Sequence, residues 1–261
     1  MMKRRLILIV CTSLALAWGV SGLAQNKARA DRVFIRDLEG IWMNEAYLKE
    51  LRATRMPHQS AKKQRPVVIA VKREGRVYPF VSTDFEKAAL MVVLDVEPDL
   101  EPGSYRLVLG AKNAPTSSDE AKYVLFKGTR NANKSFDKLE IKELFITKGQ
   151  WANYERVGLN LGPAVNHIVL TGKYKDRKGR EWSFADNGKA SFPDKTFYYE
   201  LSLNDKTAKC EYFEAEDLES PDGKRLYGYR WKRDELQLYD ATVRKDRVRC
   251  ESVPFAFLKP R

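Results

Sequence analysis

The chain has 261 residues, 47 of them basic and 35 acidic, for a formal net charge of +12. That length buries a real core, as one large domain or two small ones. Lysine and arginine are scattered among aspartate and glutamate with no polybasic stripe, which argues against a nucleic-acid partner and fits solvated strand faces and turns.

Residues 1–24 have the order of a secretory signal peptide. A basic start at Lys3, Arg4 and Arg5 precedes an apolar run from Leu6 to Val20 and then Ser21-Gly22-Leu23-Ala24. The run is short for a bilayer crossing, and Gly22 and Ala24 are the small residues that a signal peptidase needs to cut before Gln25. A cut after Ala30 lies far from the apolar core, and Cys11, inside the run behind Val10, does not fit a lipoprotein anchor. The expectation is an exported protein, periplasmic or extracellular, with no membrane span. Cys210 and Cys250 remain after cleavage, and an oxidising compartment favours a disulfide between them over two buried free thiols. Closing such a loop stabilises by about 4 kcal/mol through chain entropy. No CxxC spacing points to redox catalysis.

After the leader, Gly40-Ile41-Trp42-Met43-Asn44 opens a GxWxN pattern that recurs at Gly149-Gln150-Trp151-Ala152-Asn153. Gly75-Arg76-Val77-Tyr78-Pro79-Phe80 is echoed by Gly179-Arg180-Glu181-Trp182-Ser183-Phe184, and Lys87-Ala88-Ala89-Leu90 by Lys189-Ala190-Ser191-Phe192. Three matches in one order at nearly one offset predict a tandem duplication, with halves at 31–146 and 147–261. From Glu45 to Ala53 the apolar residues Tyr47, Leu48 and Leu51 share one helical face, Asn44 is placed to cap it and Pro57 ends it. Strands are predicted over Val67–Val71, Ala89–Val96, Tyr105–Leu109, Tyr123–Lys127 and Leu139–Ile146. The segment Tyr154 to Pro163 is expected to be a loop because of Gly158 and Gly162-Pro163. Further strands follow at Ile168–Tyr174, Glu181–Phe184, Phe197–Leu203, Cys210–Ala215, Leu226–Trp231 and Glu235–Ala241. Asn187-Gly188 predicts a type I′ hairpin turn, and the short Lys148-Gly149 junction predicts halves that pack together.

A GxW at the first strand, a short helix and a meander of hairpins resemble the lipocalin and wider calycin group of up-and-down β-barrels. The resemblance implies that Trp42 and Trp151 pack at the closed ends of their barrels, each under a basic side chain from a late strand. The sequence departs from ordinary lipocalins in being duplicated, with halves short for a full ligand-binding barrel. The fold expected is therefore all-β: two tandem calycin-like antiparallel barrels, or one composite of two packed β halves.

Enzyme chemistry has little support. His58 lies in the polar Pro57-His58-Gln59-Ser60 segment, His167 in a predicted strand, and there is no HExxH, GxSxG or glycine-rich phosphate loop. The acidic stretch Glu214, Glu216, Asp217, Glu219, Asp222 fails a calcium-loop pattern at Pro221, so no metal and no cofactor are expected. Arg76 and Arg180 fit turn geometry better than an anion site. Aromatic placement points further: 11 aromatics lie between the leader and residue 147, and 17 lie after it. Strand alternation puts Tyr199 on one face with Phe197, and Tyr227, Tyr229 and Trp231 on one face. These four are the candidate ligand-binding residues, for a small apolar or amphipathic ligand, with plain core packing as the competing reading. The function expected is an exported binding protein. The alternatives are an envelope structural or interaction module without a pocket, a carbohydrate-binding module using surface aromatics, and an enzyme whose carboxylates or tyrosines follow no known pattern.

Overall fold

The computed structural model describes residues 33–61, 67–83, 88–101, 103–110, 122–128, 130, 131, 133, 135–143, 150–203, 208, 210–216, 223–245 and 247–261. The predicted leader, residues 1–24, therefore lies outside the described residues, as do Lys148-Gly149 and the tip of the acidic stretch. Residues 35–261 form one compact unit.

A 3₁₀ turn, Ile35–Leu38, leads into β1 (Gly40–Asn44). Helix α1 (Glu45–Thr54) follows at once because the Asn44 side chain accepts from the Ala46 and Tyr47 amides, and it ends at Arg55 in the left-handed region, φ 55°. A short helix α2 (Pro57–Ala61) begins on proline, whose missing N–H costs nothing in a first turn. Seven more strands complete an antiparallel barrel in simple sequence order: β2 (Val68–Val71), β3 (Tyr78–Thr83), β4 (Ala88–Pro98), β5 (Ser104–Gly110), β6 (Lys122–Lys127), β7 (Lys138–Glu143) and β8 (Trp151–Gly158). β8 returns to pair with β1, so this barrel, barrel 1, takes strands up to Gly158.

The predicted loop Tyr154–Pro163 is instead strand β8 up to Gly158 and then the start of helix α3 (Leu161–Val169), which also takes the start of the strand predicted from Ile168. Gly162 and Pro163 sit in its first turn, where they do little harm, while Val165 and Val169, four apart, turn one face into the second barrel. His167 consequently lies on a helix, exposed. Barrel 2 comprises β9 (Gly172–Asp176), β10 (Glu181–Phe184), β11 (Lys189–Ser191), β12 (Thr196–Leu201), β13 (Glu211–Glu216), β14 (Lys224–Lys232), β15 (Glu235–Arg244) and β17 (Ala256–Pro260). The ring closes through β14–β15, β15–β17 and β17–β9, with β16 (Arg247–Cys250) added to the far end of β15. At Asn187-Gly188 the turn is not type I′. Gly188 N–H closes it onto Ala185 O at 3.1 Å, and Gly188 has φ 84° while Asn187 is absent from the positive-φ residues.

The predicted pairing of Trp42 with Trp151 does not survive. Trp42 is 1% exposed on the first strand of barrel 1, whereas Trp151 is 38% exposed on the outer face of its last strand. The position matching Trp42 is Tyr174. Gly40-x-Trp42 and Gly172-x-Tyr174 each follow a helical turn, with φ 147° and 159° at the glycines. Trp42 Nε1 donates to Leu38 O at 2.8 Å and Tyr174 Oη to Leu170 O at 2.5 Å, both four residues back. Late-strand cover exists in barrel 1: the Arg156 guanidinium lies 5.9 Å over the Trp42 ring and donates to Glu39 O. Gly40 makes room for it, since a Cβ there would come within 2.8 Å of Arg156 Nε.

The outer face of barrel 1 shares a core with the interior of barrel 2. Ile41, Met43 and Val68 on the outer face of barrel 1, Val67 just ahead of β2, and Tyr47, Leu48 and Leu51 of α1 form one cluster with the interior of barrel 2. β1 is therefore buried along both faces, its alternate residue Trp42 pointing into barrel 1.

Candidate functional site

The four predicted ligand residues come together inside barrel 2. Tyr199, Tyr227, Tyr229 and Trp231 are all buried. Their rings pack against neighbours at contact distances: Tyr199 at 5.5 Å from Phe184, Tyr227 at 5.4 Å from Phe213, and Trp231 at 6.2 Å from Tyr174. Phe192 and Phe197 join the same network at 4.8 Å from each other. Polar tips are used internally: Tyr199 Oη donates to Ala185 O at 3.0 Å and Trp231 Nε1 to Val169 O at 3.0 Å. Ring-to-ring packing with donors turned onto the barrel's own carbonyls is the geometry of a core. Of these four residues only Tyr229 has a buried polar atom without a partner, its Oη, and burial, followed by the Glu211 charge, pushes that phenol well above its ordinary pKa.

Barrel 1 is lined differently. Register places Trp42, Ile69 and Ser82 on one row and Val71, Phe80 and Met91 on the next. Leu107 opposite Val124, Phe126 opposite Ile141 and Leu139 opposite Tyr154 continue the lining. The wall is mostly aliphatic. Ser82 interrupts it, with 0% exposure and an Oγ that has no hydrogen-bond partner. An unpaired buried hydroxyl costs about 1–3 kcal/mol, which the fold has to carry.

A third arrangement, absent from the sequence reading, joins the barrels. Glu211 opens β13 opposite Tyr229, and its carboxylate meets the start of α2. It accepts from the Gln59 amide at 3.1 Å and the His58 amide at 3.3 Å, and its Oε2 lies 2.8 Å from His58 Nδ1. His58, expected at the surface, has a side chain only 17% exposed, against 7% for Glu211. Its ring is stacked against Tyr212 at 6.5 Å. Beside this contact Arg55, at the end of α1, lies 4.0 Å over the Trp231 ring. The signal in the sequence was the Pro57-His58 start of a short helix; its carboxylate partner is 153 residues away and no local pattern marks it.

Cys210 and Cys250 are bridged, with Cα atoms 6.1 Å apart. Arg180 is a hairpin clasp: Asp176 accepts from the Lys178 and Arg180 amides, from Arg180 Nε at 2.8 Å and from Trp182 Nε1 at 3.2 Å. Burial alone would raise the Asp176 carboxyl, but these bonds outweigh it and hold the group at about 2. Arg76 is exposed next to the Gly75 turn. Trp151 sits between Lys127 and Lys142, whose ammonium groups lie 4.6 and 5.9 Å over its ring. A cleft of about 550 Å³ beside α1 is lined by Asn44, Glu45, Arg52, Lys138 and Glu155 among others. Four of its charges are paired with each other, Arg52 with Glu155 and Lys138 with Glu45, each at 2.7 Å. The Arg52 hydrogen bond accordingly holds the Glu155 carboxyl below its usual range. Among the described residues no group of three or more His, Cys, Asp or Glu is placed to hold a metal, and no helix is long and apolar enough to cross a membrane.

These features define an all-β protein of two eight-stranded antiparallel barrels, joined where the outer face of barrel 1 packs into the core of barrel 2. No family model matches the chain, and neither does any curated protein or solved structure.

Proposed function

We propose that the chain is an exported, calycin-like binding protein in which barrel 1 receives a slender apolar or amphipathic ligand and barrel 2 is a packed scaffold. The observation that carries this reading is the Ser82 hydroxyl, wholly buried and unpartnered on an aliphatic wall. Apolar burial gives such a ligand its affinity, and a carbonyl, carboxylate or hydroxyl on the ligand gives Ser82 the partner that it lacks. Trp42 under Arg156, on the Gly-x-Trp strand, supports the calycin resemblance. The disulfide suits an oxidising compartment and so supports export.

The test is titration of the full oxidised chain with a long-chain fatty acid and with a pyranose, followed by tryptophan fluorescence, in the parent, Ser82→Ala and Tyr229→Phe. Binding of the fatty acid that weakens about tenfold in Ser82→Ala and is unchanged in Tyr229→Phe is expected, one lost hydrogen bond being worth roughly that factor. Equal weakening in Tyr229→Phe moves the site to barrel 2. Sugar binding alone favours the carbohydrate alternative, and no binding of either up to millimolar concentration leaves the interaction module.

A further inference from the structure

Glu211 is held from two sides. Its carboxylate grips the first turn of α2, as described above, while its backbone follows directly on Cys210, whose bridge to Cys250 carries β13 across to β16. Cys250 Sγ lies 4.0 Å from Glu211 O. The bridge crosses over β14 at Gly228: a Cβ on that residue would overlap Cys250 Sγ and lie 3.0 Å from Cys250 Cβ. Gly228 in turn pairs with Tyr212 on β13 and with Tyr239 on β15, so the crossing lies on the strand next to β13, with β15 between it and the β16 strand that carries Cys250. Tyr212 turns outward from Glu211 into a small cluster with Ala241 and Val248, closed by Cys250. The disulfide thus fixes the strand end from which the Glu211 carboxylate reaches barrel 1. Both cysteines are only partly buried, within reach of a small thiol.

We propose that the Cys210–Cys250 disulfide sets a latch between the barrels, in which Glu211 holds α2, and that reduction by a dithiol releases α1 and α2 from barrel 2. A thiolate of the dithiol attacks one sulfur and forms a mixed disulfide while the other cysteine leaves as a thiolate. The second thiol of the reagent then displaces the first cysteine. The dithiol ends as its own disulfide, and its two electrons and two protons are found on Cys210 and Cys250 as thiols. The consequence is local: the start of β13 is freed, Glu211 no longer meets the His58 and Gln59 amides together, and Arg55 loses its fixed place over Trp231. The ligand of barrel 1 plays no part in this, so the latch stands or falls separately from the binding reading.

Hydrogen exchange on the full chain, oxidised and in dithiothreitol, measures it. Peptides covering 45–61 are expected to exchange about tenfold faster after reduction, while β10 to β12 keep their protection. Glu211→Gln, with the bridge intact, is expected to speed α2 amides in the same way, because an amide is a weaker acceptor than a carboxylate for two backbone N–H groups and His58. Unchanged exchange at 45–61 on reduction overturns the latch. So does an equal rise across β10 to β12, which would make the bridge a global staple only, and so does Glu211→Gln without effect on α2.

Discussion

Barrel 1 and barrel 2 share strand number and antiparallel order but are filled by different means. Barrel 2 packs Tyr174, Trp182, Phe184, Phe192, Phe213 and Tyr227 ring against ring, whereas barrel 1 sets Trp42, Phe80, Phe126 and Tyr154 among the aliphatic Ile69, Val71, Met91, Val93, Leu107 and Leu109. An eight-stranded barrel is just wide enough to be filled by side chains or to hold one small ligand, and the size of the inward residues decides between these. Large rings take the first course. The proposed site is assigned to the more aliphatic barrel, where the Ser82 hydroxyl has no partner, and the ring-packed barrel is its proposed scaffold.

The largest effect that probes this difference is truncation of the aromatic interior. Phe213→Ala is expected to cost about 3–5 kcal/mol in urea unfolding, because rigid neighbouring rings cannot collapse into the space. Leu107→Ala in barrel 1 should cost less and be partly restored by a fatty acid, since a ligand that binds only the folded state adds its own binding energy. A Leu107→Ala loss as large as that of Phe213→Ala, with no rescue, would erase the contrast between the barrels.

Gly228→Ala is expected next, with a loss of up to about 4 kcal/mol, the loop-closure value of a bridge spanning 40 residues. Free thiols should appear on titration, because the new Cβ claims the space of Cys250 Sγ. A fully bridged and equally stable variant would show that β14 shifts freely, contrary to its double pairing with β13 and β15.

Ser82→Ala and Tyr229→Phe form a matched pair, one unpartnered buried hydroxyl from each barrel. Each removal is expected to raise stability by about 1 kcal/mol, as an unsatisfied polar group is replaced by an apolar one. They should part company on ligand binding, which only Ser82→Ala weakens. A drop in melting temperature in either variant would mean that the hydroxyl has a partner in solution, an internal water for instance.

The smallest effect is acid loosening of the β9–β10 hairpin. With the Asp176 carboxyl held at about 2, below its ordinary value near 4, its contribution is complete above about pH 4 and is lost as pH falls through about 2. Trp182 fluorescence should report the change, and Asp176→Asn should remove that pH step from the hairpin. A step that persists in Asp176→Asn would assign it to another carboxylate.

By itself the sequence determined the all-β character, the helix after β1 and the bridge between Cys210 and Cys250. Each rests on information carried locally or by elimination: alternation along strands, an Asn44 cap ahead of Tyr47, Leu48 and Leu51, and the only two cysteines beyond the predicted leader. It also foretold that the aromatic residues of the second half would gather, because period-two alternation puts Tyr227, Tyr229 and Trp231 on one side of β14. Tertiary structure alone decided which barrel owns β8, since strand identity is local but pairing is not: Trp151 looks like a first strand and pairs as a last one. It alone gave Tyr174 the role expected of Trp151, an assignment set by a hydrogen bond to the preceding turn instead of by residue type. The meeting of His58 with Glu211 and the isolation of Ser82 belong to the same class. Both depend on which atoms end up buried beside each other across long stretches of chain, and that is fixed only when the barrels close.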